Sequence, residues 1–379
     1  MFVSLRRRPA RGWIVRAAIV LAAGGLAIAA GASEVSADRL RAEVESLRAR
    51  AAEQAKSNPA WADMGGSGVD DSVFRAATAL AAGRTLSTLD LILRAEDQLG
   101  GIEASKGKSQ QGGEGLAELE SAWKKERAAR DRRRANPTSA ATGASAMPAA
   151  VRALAETARG KAGPLFDASR AYGEVTSAAA GFYYLGESRG VEAFADFAEK
   201  LGAVAEGSAL TIRSPRPELD ALQAQVLAAF QPPRSIDRHP DFIRLNSTLK
   251  LAGELANAGL STGALYQVLN SLAIFAAIDA PEPDAGRQAA IRAALDTWKS
   301  RFAASGRDDS IARLFLERAE TALSPGPDGK APGGDLWKSV AALVEHVLPA
   351  YLAFLEKAPA DQPKVAESLS VTLVRWPYT

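Results

Sequence analysis

The chain of 379 residues contains no cysteine, which excludes disulfide bonds and thiolate chemistry. Its formal net charge is +2, yet residues 1–37 hold five arginines against one acid, so the remainder carries −2 and gives no argument for nucleic-acid binding. Apolar residues make up 47% of the chain and aromatic residues only 6%, a composition that favours helices rich in alanine and leucine over a sheet.

The first 37 residues have the pattern of an export segment. A cluster of arginines between Arg6 and Arg16 precedes an apolar run of roughly 16 residues, shorter than the ~20 that a membrane-spanning helix needs. Small residues at 30–32 and 35–37 offer two cleavage sites, of which the second is preferred. The alternative is an uncleaved anchor formed by residues 14–32. We therefore expect a periplasmic or extracellular protein, or one anchored in the membrane.

Residues 38–135 are predicted to form an N-terminal helical region. Leu40, Val44, Leu47 and Ala51 recur at helical spacing among charged residues, which predicts a solvated amphipathic helix or a short coiled-coil stalk. A second helix is predicted to begin at Asp70 or Asp71, with Phe74, Ala77, Leu80 and Ala81 on its buried face. Residues 99–115 are predicted to be a loop because they are rich in glycine and polar residues.

A charge-dense helix is predicted for residues 118–135, followed by a linker at residues 136–148 that would separate two domains. The helix carries seven basic residues, which are either a solvated face or a contact for an anionic surface such as phospholipid headgroups. These candidate site residues are Lys124, Lys125, Arg127, Arg130, Arg132, Arg133 and Arg134.

Residues 149–379 are predicted to form a C-terminal all-helical domain. Stripes of apolar residues at helical spacing recur along this region, and the connections between them are short. Successive helices should therefore pack as antiparallel neighbours. The fold class predicted for the whole chain is all-α, with stacked antiparallel helical hairpins that form an irregular bundle or a short α-solenoid.

Three stretches resemble known motifs without matching them. Residues 101–109 end like a phosphate-binding loop but hold Ile102 where its first glycine belongs. Residues 251–270 resemble a helix-turn-helix, but the second helix has no Lys or Arg, so an ordinary helical hairpin is predicted. Residues 182–201 resemble part of a tetratricopeptide repeat, but the spacing is too short and no repeat period appears elsewhere. A divergent hairpin is predicted there, and no family is assigned.

Residues suited to catalysis are few. His239 and His346 are the only histidines and are not at metal-binding spacing, so we expect both to be structural. The pairs Asp70-Asp71 and Asp308-Asp309 are explained as helix caps. We expect no cofactor and no metal.

The sequence contains no recognisable group of catalytic residues, which favours a non-enzymatic function. The sequence predicts an exported envelope protein that acts as a helical protein–protein interaction scaffold, with protein partners in the envelope and with an anionic membrane surface as a further possible contact. The alternative is a secreted hydrolase that uses paired carboxylates from separate helices. A third hypothesis is a mainly structural envelope protein tethered by its N-terminus.

Overall fold

The computed structural model describes residues 35–135, 147–201, 210–231, 236–305, 308–327 and 329–357, with the side chains of 133–135 and 236 left aside. These residues form twelve helices and no strand, which confirms the predicted all-α class. The first six are α1 (Ala37–Ser57), α2 (Gly66–Ala81), α3 (Thr85–Ser105), α4 (Leu116–Ala135), α5 (Ala149–Val175) and α6 (Ala178–Glu199). The others are α7 (Arg216–Ala229), α8 (His239–Asn257), α9 (Ser261–Ile278), α10 (Ala285–Ala303), α11 (Ser310–Ala322) and α12 (Gly334–Glu356).

One large hydrophobic core is shared by helices from both predicted domains. It includes Leu47 of α1, Leu89 of α3, Leu154 of α5, Phe315 of α11 and Tyr351 of α12. Helices α3, α5 and α6 pack on one another within the unit formed by residues 31–379. The predicted linker at 136–148 falls mostly outside the described residues and stays a prediction.

Helices α3 and α6 approach each other so closely that only glycine fits between them. A Cβ atom added to Gly186 would lie 2.1 Å from the carbonyl oxygen of Gly100, and one added to Gly190 would lie 2.2 Å from that of Glu96. These glycines allow backbone to pack against backbone. The predicted loop at 99–115 is therefore wrong at its start, because α3 continues through Gly100 and Gly101 to Ser105.

Helix α1 is part of the core rather than a solvated stalk. Its apolar stripe, Leu40, Val44, Leu47 and Ala51, is 0–3% exposed and packs against α2 and α3. The residues before the helix are also fixed: Val35 is 3% exposed, and the Ser36 hydroxyl accepts a hydrogen bond from the Arg39 N–H. The spacing predicted the helix correctly, but not the partners that cover its apolar face.

Helix α2 begins at Gly66, four residues before the predicted cap. Its buried positions include Val69, Val73 and Ala76, so the predicted helical period is correct. Of the predicted face, Ala77 and Leu80 are partly buried and pack against the core, whereas Phe74, 38% exposed, and Ala81 are exposed. Asp70 and Asp71 lie inside the helix and do not cap it. Asp70 accepts a hydrogen bond from the Trp61 indole at 3.2 Å, and Asp71 pairs with Arg75 at 2.8 Å.

The two helical stretches that resembled known motifs have different outcomes. Residues 251–270 are a hairpin of α8 and α9, as predicted, with Gly259 at positive φ in the turn. The stretch 182–201 is not a hairpin, because most of it belongs to the single helix α6. Gly186 and Gly190 do not end this helix, since the close contact with α3 stabilises the continuous form.

Helices α9 and α12 are the two described helices that are long and apolar enough to cross a membrane, by length and composition alone. In each, 56% of the apolar window is buried inside the protein, which a core helix also satisfies. The anchor predicted at residues 14–32 lies outside the described residues. In α12 a π-helical turn, Leu343–Val347, precedes Pro349, whose ring cannot fit the regular α-helical hydrogen-bond pattern.

Candidate functional site

A groove of about 810 Å³ is lined by seven helices. Residues of α2, α3, α5, α8, α9, α11 and α12 contribute to its walls. Helix α9 runs along the groove with one stripe of its surface, because residues three or four positions apart share a helix face. This stripe consists of Tyr266, Gln267, Asn270, Ala273, Ile274 and Ala277. We call this cavity the α9 groove.

The charged side chains of the α9 groove are mainly basic. Asp71 and Asp90 are its two acids, and its five basic residues are Arg75, Arg94, Lys161, Arg244 and Arg318. Three of the cations have carboxylate partners outside the pair of Arg94 and Arg318: Arg75 pairs with Asp71 at 2.8 Å, Lys161 pairs with Asp97 at 2.7 Å, and Arg244 pairs with Asp241 at 3.6 Å. Arg244 lies on the rim, with its side chain 66% exposed.

Asp90 of α3 is the centre of a polar cluster in the groove wall. Its carboxylate accepts a hydrogen bond from the Tyr266 hydroxyl at 2.8 Å and one from Arg94 Nη2 at 2.8 Å. Arg318 Nε lies 3.6 Å from the same carboxylate. Arg318 also donates through Nη1 to the Tyr266 hydroxyl at 3.2 Å and to Asn270 Oδ1 at 2.6 Å. The cluster therefore joins α3, α9 and α11.

Ionisation in this cluster follows from burial and from the two arginines. Burial alone would raise the pKa of Asp90, but the charges of Arg94 and Arg318 and the Tyr266 hydrogen bond outweigh it and hold this pKa below its usual range. Burial and the Asp90 charge raise the pKa of Tyr266 to about 12. At neutral pH the carboxylate is thus charged and the phenol is neutral.

The resulting charge balance leaves one positive charge in excess. Arg94 and Arg318 share the single carboxylate of Asp90, since Tyr266 contributes no charge. The Arg94 side chain is 50% exposed, whereas that of Asp90 is only 6% exposed. The uncompensated guanidinium surface is therefore available to the cavity, where it can donate paired hydrogen bonds to a carboxylate or phosphate.

A second cleft, of about 590 Å³, holds a pair of carboxyl groups. Glu43 of α1 and Glu96 of α3 both line this cleft, and Arg50 binds Glu96 at 2.6 Å and Glu103 at 2.9 Å. Burial raises the pKa of Glu96 to about 7, although the Arg50 charge opposes this, and Glu43 raises it further. Glu96 therefore keeps its proton to a higher pH than an exposed glutamate does.

The basic residues predicted on α4 do not form one exposed face. Arg130 is only 7% exposed, and it donates to Ser188 at 2.6 Å and pairs with Glu192 at 2.8 Å, so it cannot contact an external anionic surface. The sequence did not predict this, because a buried arginine cannot be distinguished from an exposed one within a run of basic residues. Contact with an anionic surface stays a prediction for the exposed residues Lys124, Lys125, Arg127 and Arg132. The side chains of Arg133 and Arg134 lie outside the described part.

Both histidines are exposed, His239 at the start of α8 and His346 in the π-helical turn. In the parts of the chain that the structure describes, no three His, Asp or Glu residues are grouped so that they could hold a metal ion. Asp308 caps helices as expected, accepting from the N–H of Ser310 at 3.0 Å and from that of Ala149 at 2.7 Å.

Comparison with known proteins gives no relative, since no family model, no curated protein and no solved structure matches the chain.

Proposed function

We propose that this chain is an exported helical binding protein of the cell envelope and that the α9 groove holds an anionic ligand supplied by a partner. The observation that carries the proposal is the sharing of Asp90 by Arg94 and Arg318 in a wall of the groove. A partly desolvated guanidinium without a full counter-charge costs free energy, and a ligand carboxylate would lower that cost. Binding of an anion is thus favoured over binding of a cation or a purely apolar molecule.

Titration of the purified full-length chain with N-acetylglutamate, followed by NMR or calorimetry, tests this proposal. We expect saturable binding that Arg94→Gln weakens at least about tenfold, the loss expected for one charge-assisted hydrogen-bonded pair. Arg170→Gln is the matched control, because Arg170 is 58% exposed and also forms an ion pair four residues away on its own helix. Equal affinity in Arg94→Gln and the unmodified chain would contradict an anion site at this groove.

Export is supported by the basic and apolar pattern of residues 1–37, and the fold bears on where cleavage falls. Removal of residues 1–37 would delete the buried Val35 and the capping Ser36. We therefore propose cleavage before Val35, at the small residues 30–32, or retention of the segment as an anchor. N-terminal sequencing of the protein recovered from cell fractions tests this, and a mature chain that begins at Asp38 would contradict it.

A second candidate function is hydrolysis at the cleft that holds Glu43 and Glu96. The specific support is that both carboxyl groups line the 590 Å³ cleft and that the charge of Glu43 raises the pKa of Glu96. Two carboxyl groups of which one raises the pKa of the other are also found in acid proteases. Peptide hydrolysis that Glu96→Gln abolishes would support this function, whereas hydrolysis unaffected by that change would exclude these residues.

A further inference from the structure

We infer that the ligand of the α9 groove is an extended segment of a partner protein, about five residues long, with an acidic side chain at one end and an apolar side chain at the other. This inference rests on the proposed function and identifies the chemical class of its anion. It follows from the length of the groove, from the change of polarity along it and from the side chains between its two ends.

The length of the groove exceeds what a simple anion needs. The α9 stripe extends over twelve residues from Tyr266 to Ala277, and the eleven steps between them at ~1.5 Å each span about 17 Å. An extended peptide advances ~3.3 Å per residue, so about five residues would cover this distance. A phosphate or acetate ion would occupy only the part beside Arg94 and leave most of the 810 Å³ volume to water.

The polarity of the α9 stripe changes along its length. Tyr266 and Asn270 contact the cluster of Asp90 and Arg318, which is the basic part of the groove. One turn further the same stripe consists of Ala273, Ile274 and Ala277, all partly exposed to the cavity. A ligand that matches both parts carries a negative charge near Arg94 and an apolar group roughly three residues away.

The middle of the groove is suited to a peptide backbone. Gln267 donates its amide nitrogen to Thr157 at 3.1 Å, which leaves the amide oxygen to accept from a ligand N–H. The Ser247 and Thr248 hydroxyls of α8 donate to carbonyl oxygens of their own helix and keep lone pairs that can accept from a ligand N–H. An acyl chain along this path has no N–H groups to donate to them.

A sugar polymer fits less well than a peptide. Carbohydrate sites commonly present aromatic faces on which rings stack, as aromatic side chains do in other recognition sites. Tyr266 is the one aromatic side chain that lines the described groove, and its ring packs against that of Phe315 at 5.6 Å. Tyr266 is only 3% exposed, so the face of its ring is not offered to a ligand.

Selection from a display library of random linear peptides tests the inference with the purified full-length chain as bait. We expect the selected peptides to be enriched in Asp or Glu, with an apolar residue three or four positions away. Peptides selected by Arg94→Gln should no longer be enriched in Asp or Glu, and those selected by Ala277→Glu should no longer be enriched in the apolar residue. Arg170→Gln changes a residue outside the groove and should select the same peptides as the unmodified chain. Circular dichroism of each variant confirms that it is folded.

Two outcomes would overturn the inference. The first is selection without acidic enrichment, and the second is selection of the same peptides by Arg94→Gln and the unmodified chain. If the chain binds N-acetylglutamate in an Arg94-dependent way while no peptide is enriched, anion binding by the groove is supported and the inference of a peptide ligand is wrong. If both bindings are absent, the proposed function fails together with the inference.

Discussion

The hydroxyl of Tyr266 donates a 2.8 Å hydrogen bond to the carboxylate of Asp90, which lies 176 positions earlier in the chain. The bond joins α9 to α3, and both residues are nearly inaccessible, with Tyr266 at 3% and Asp90 at 4% exposure. It holds the carboxylate in place between Arg94 and Arg318 and thereby sets the geometry of the basic end of the α9 groove.

Removal of this hydroxyl should destabilise the protein. Tyr266→Phe deletes a buried hydrogen bond to a charged group, so we expect the free energy of unfolding to fall by about 1.5–3 kcal/mol. Urea denaturation followed by circular dichroism measures the change. Tyr172→Phe, at a tyrosine that is 46% exposed, is the control and should change stability by a few tenths of a kcal/mol, roughly. Equal effects of the two changes would contradict the role assigned to the hydroxyl.

Asp90→Asn should lower the free energy of unfolding more than Tyr266→Phe does. Neutralising the carboxylate leaves Arg94 and Arg318 without a counter-charge in the groove wall, and we expect a loss of about 3–5 kcal/mol. The matched change, Asp71→Asn, breaks an ion pair within α2 whose acidic side chain is 44% exposed. That change should cost about 1 kcal/mol or less. Thermal and urea unfolding of both variants gives the comparison, and similar losses would show that the Asp90 charge is not needed.

Stability should fall as pH rises through neutrality, because burial raises the pKa of Glu96 from 4.5 to about 7. The folded state holds this proton between these two pH values and the unfolded state does not, so the stabilisation is complete below pH 4.5 and is lost above about pH 7. The difference between these two pKa values corresponds to a loss of roughly 3 kcal/mol in the free energy of unfolding.

Glu96→Gln tests this origin of the pH dependence. We expect the slope of unfolding free energy between pH 5 and pH 8, approximately the range set by the raised pKa, to become shallower. Some slope should remain, because burial also raises the pKa of Glu187 to about 8. Glu53→Gln, on the exposed side of α1, is the control. An unchanged slope in Glu96→Gln would assign the pH dependence to other groups.

Two glycine-to-alanine changes in helix interiors should have opposite signs. In Gly190→Ala the new methyl group would meet the Glu96 carbonyl oxygen at 2.2 Å, which would force α3 and α6 apart and cost about 3 kcal/mol or more. In Gly253→Ala the nearest atom is 3.8 Å away, so the higher helix propensity of alanine should stabilise by about 0.5–1 kcal/mol. Melting temperatures of the two variants measure the difference, and destabilisation by both would contradict this account.

The helical class could be predicted because apolar spacing is a local property. The stripe from Leu40 to Ala51 identified α1, and residues 251–270 were correctly assigned to a hairpin. The contact between Gly100 and Gly186 could not be predicted in this way. Glycine favours loops in isolated sequence but also permits close packing of helices, and only the second helix distinguishes the two roles.

The candidate site could not be predicted from the sequence because its residues belong to separate helices. Asp90, Tyr266 and Arg318 are each ordinary members of their own helices, and their juxtaposition arises from tertiary packing. One local signal was available. Polar residues Gln267 and Asn270 interrupt an otherwise apolar helix, and a buried polar stripe of this kind marks a face that contacts polar partners.

The same polar stripe has a consequence for passage of the unfolded chain through a membrane translocon. Helix α9 has a mean hydropathy of 1.3 over its 18 residues and is long and apolar enough to cross a membrane, by length and composition alone. Gln267 and Asn270 lower the tendency of α9 to insert, so a chain exported before folding would depend on its groove residues to be released. Replacing both by leucine should raise the membrane-retained fraction, measured by carbonate extraction, whereas an unchanged fraction would remove this second role.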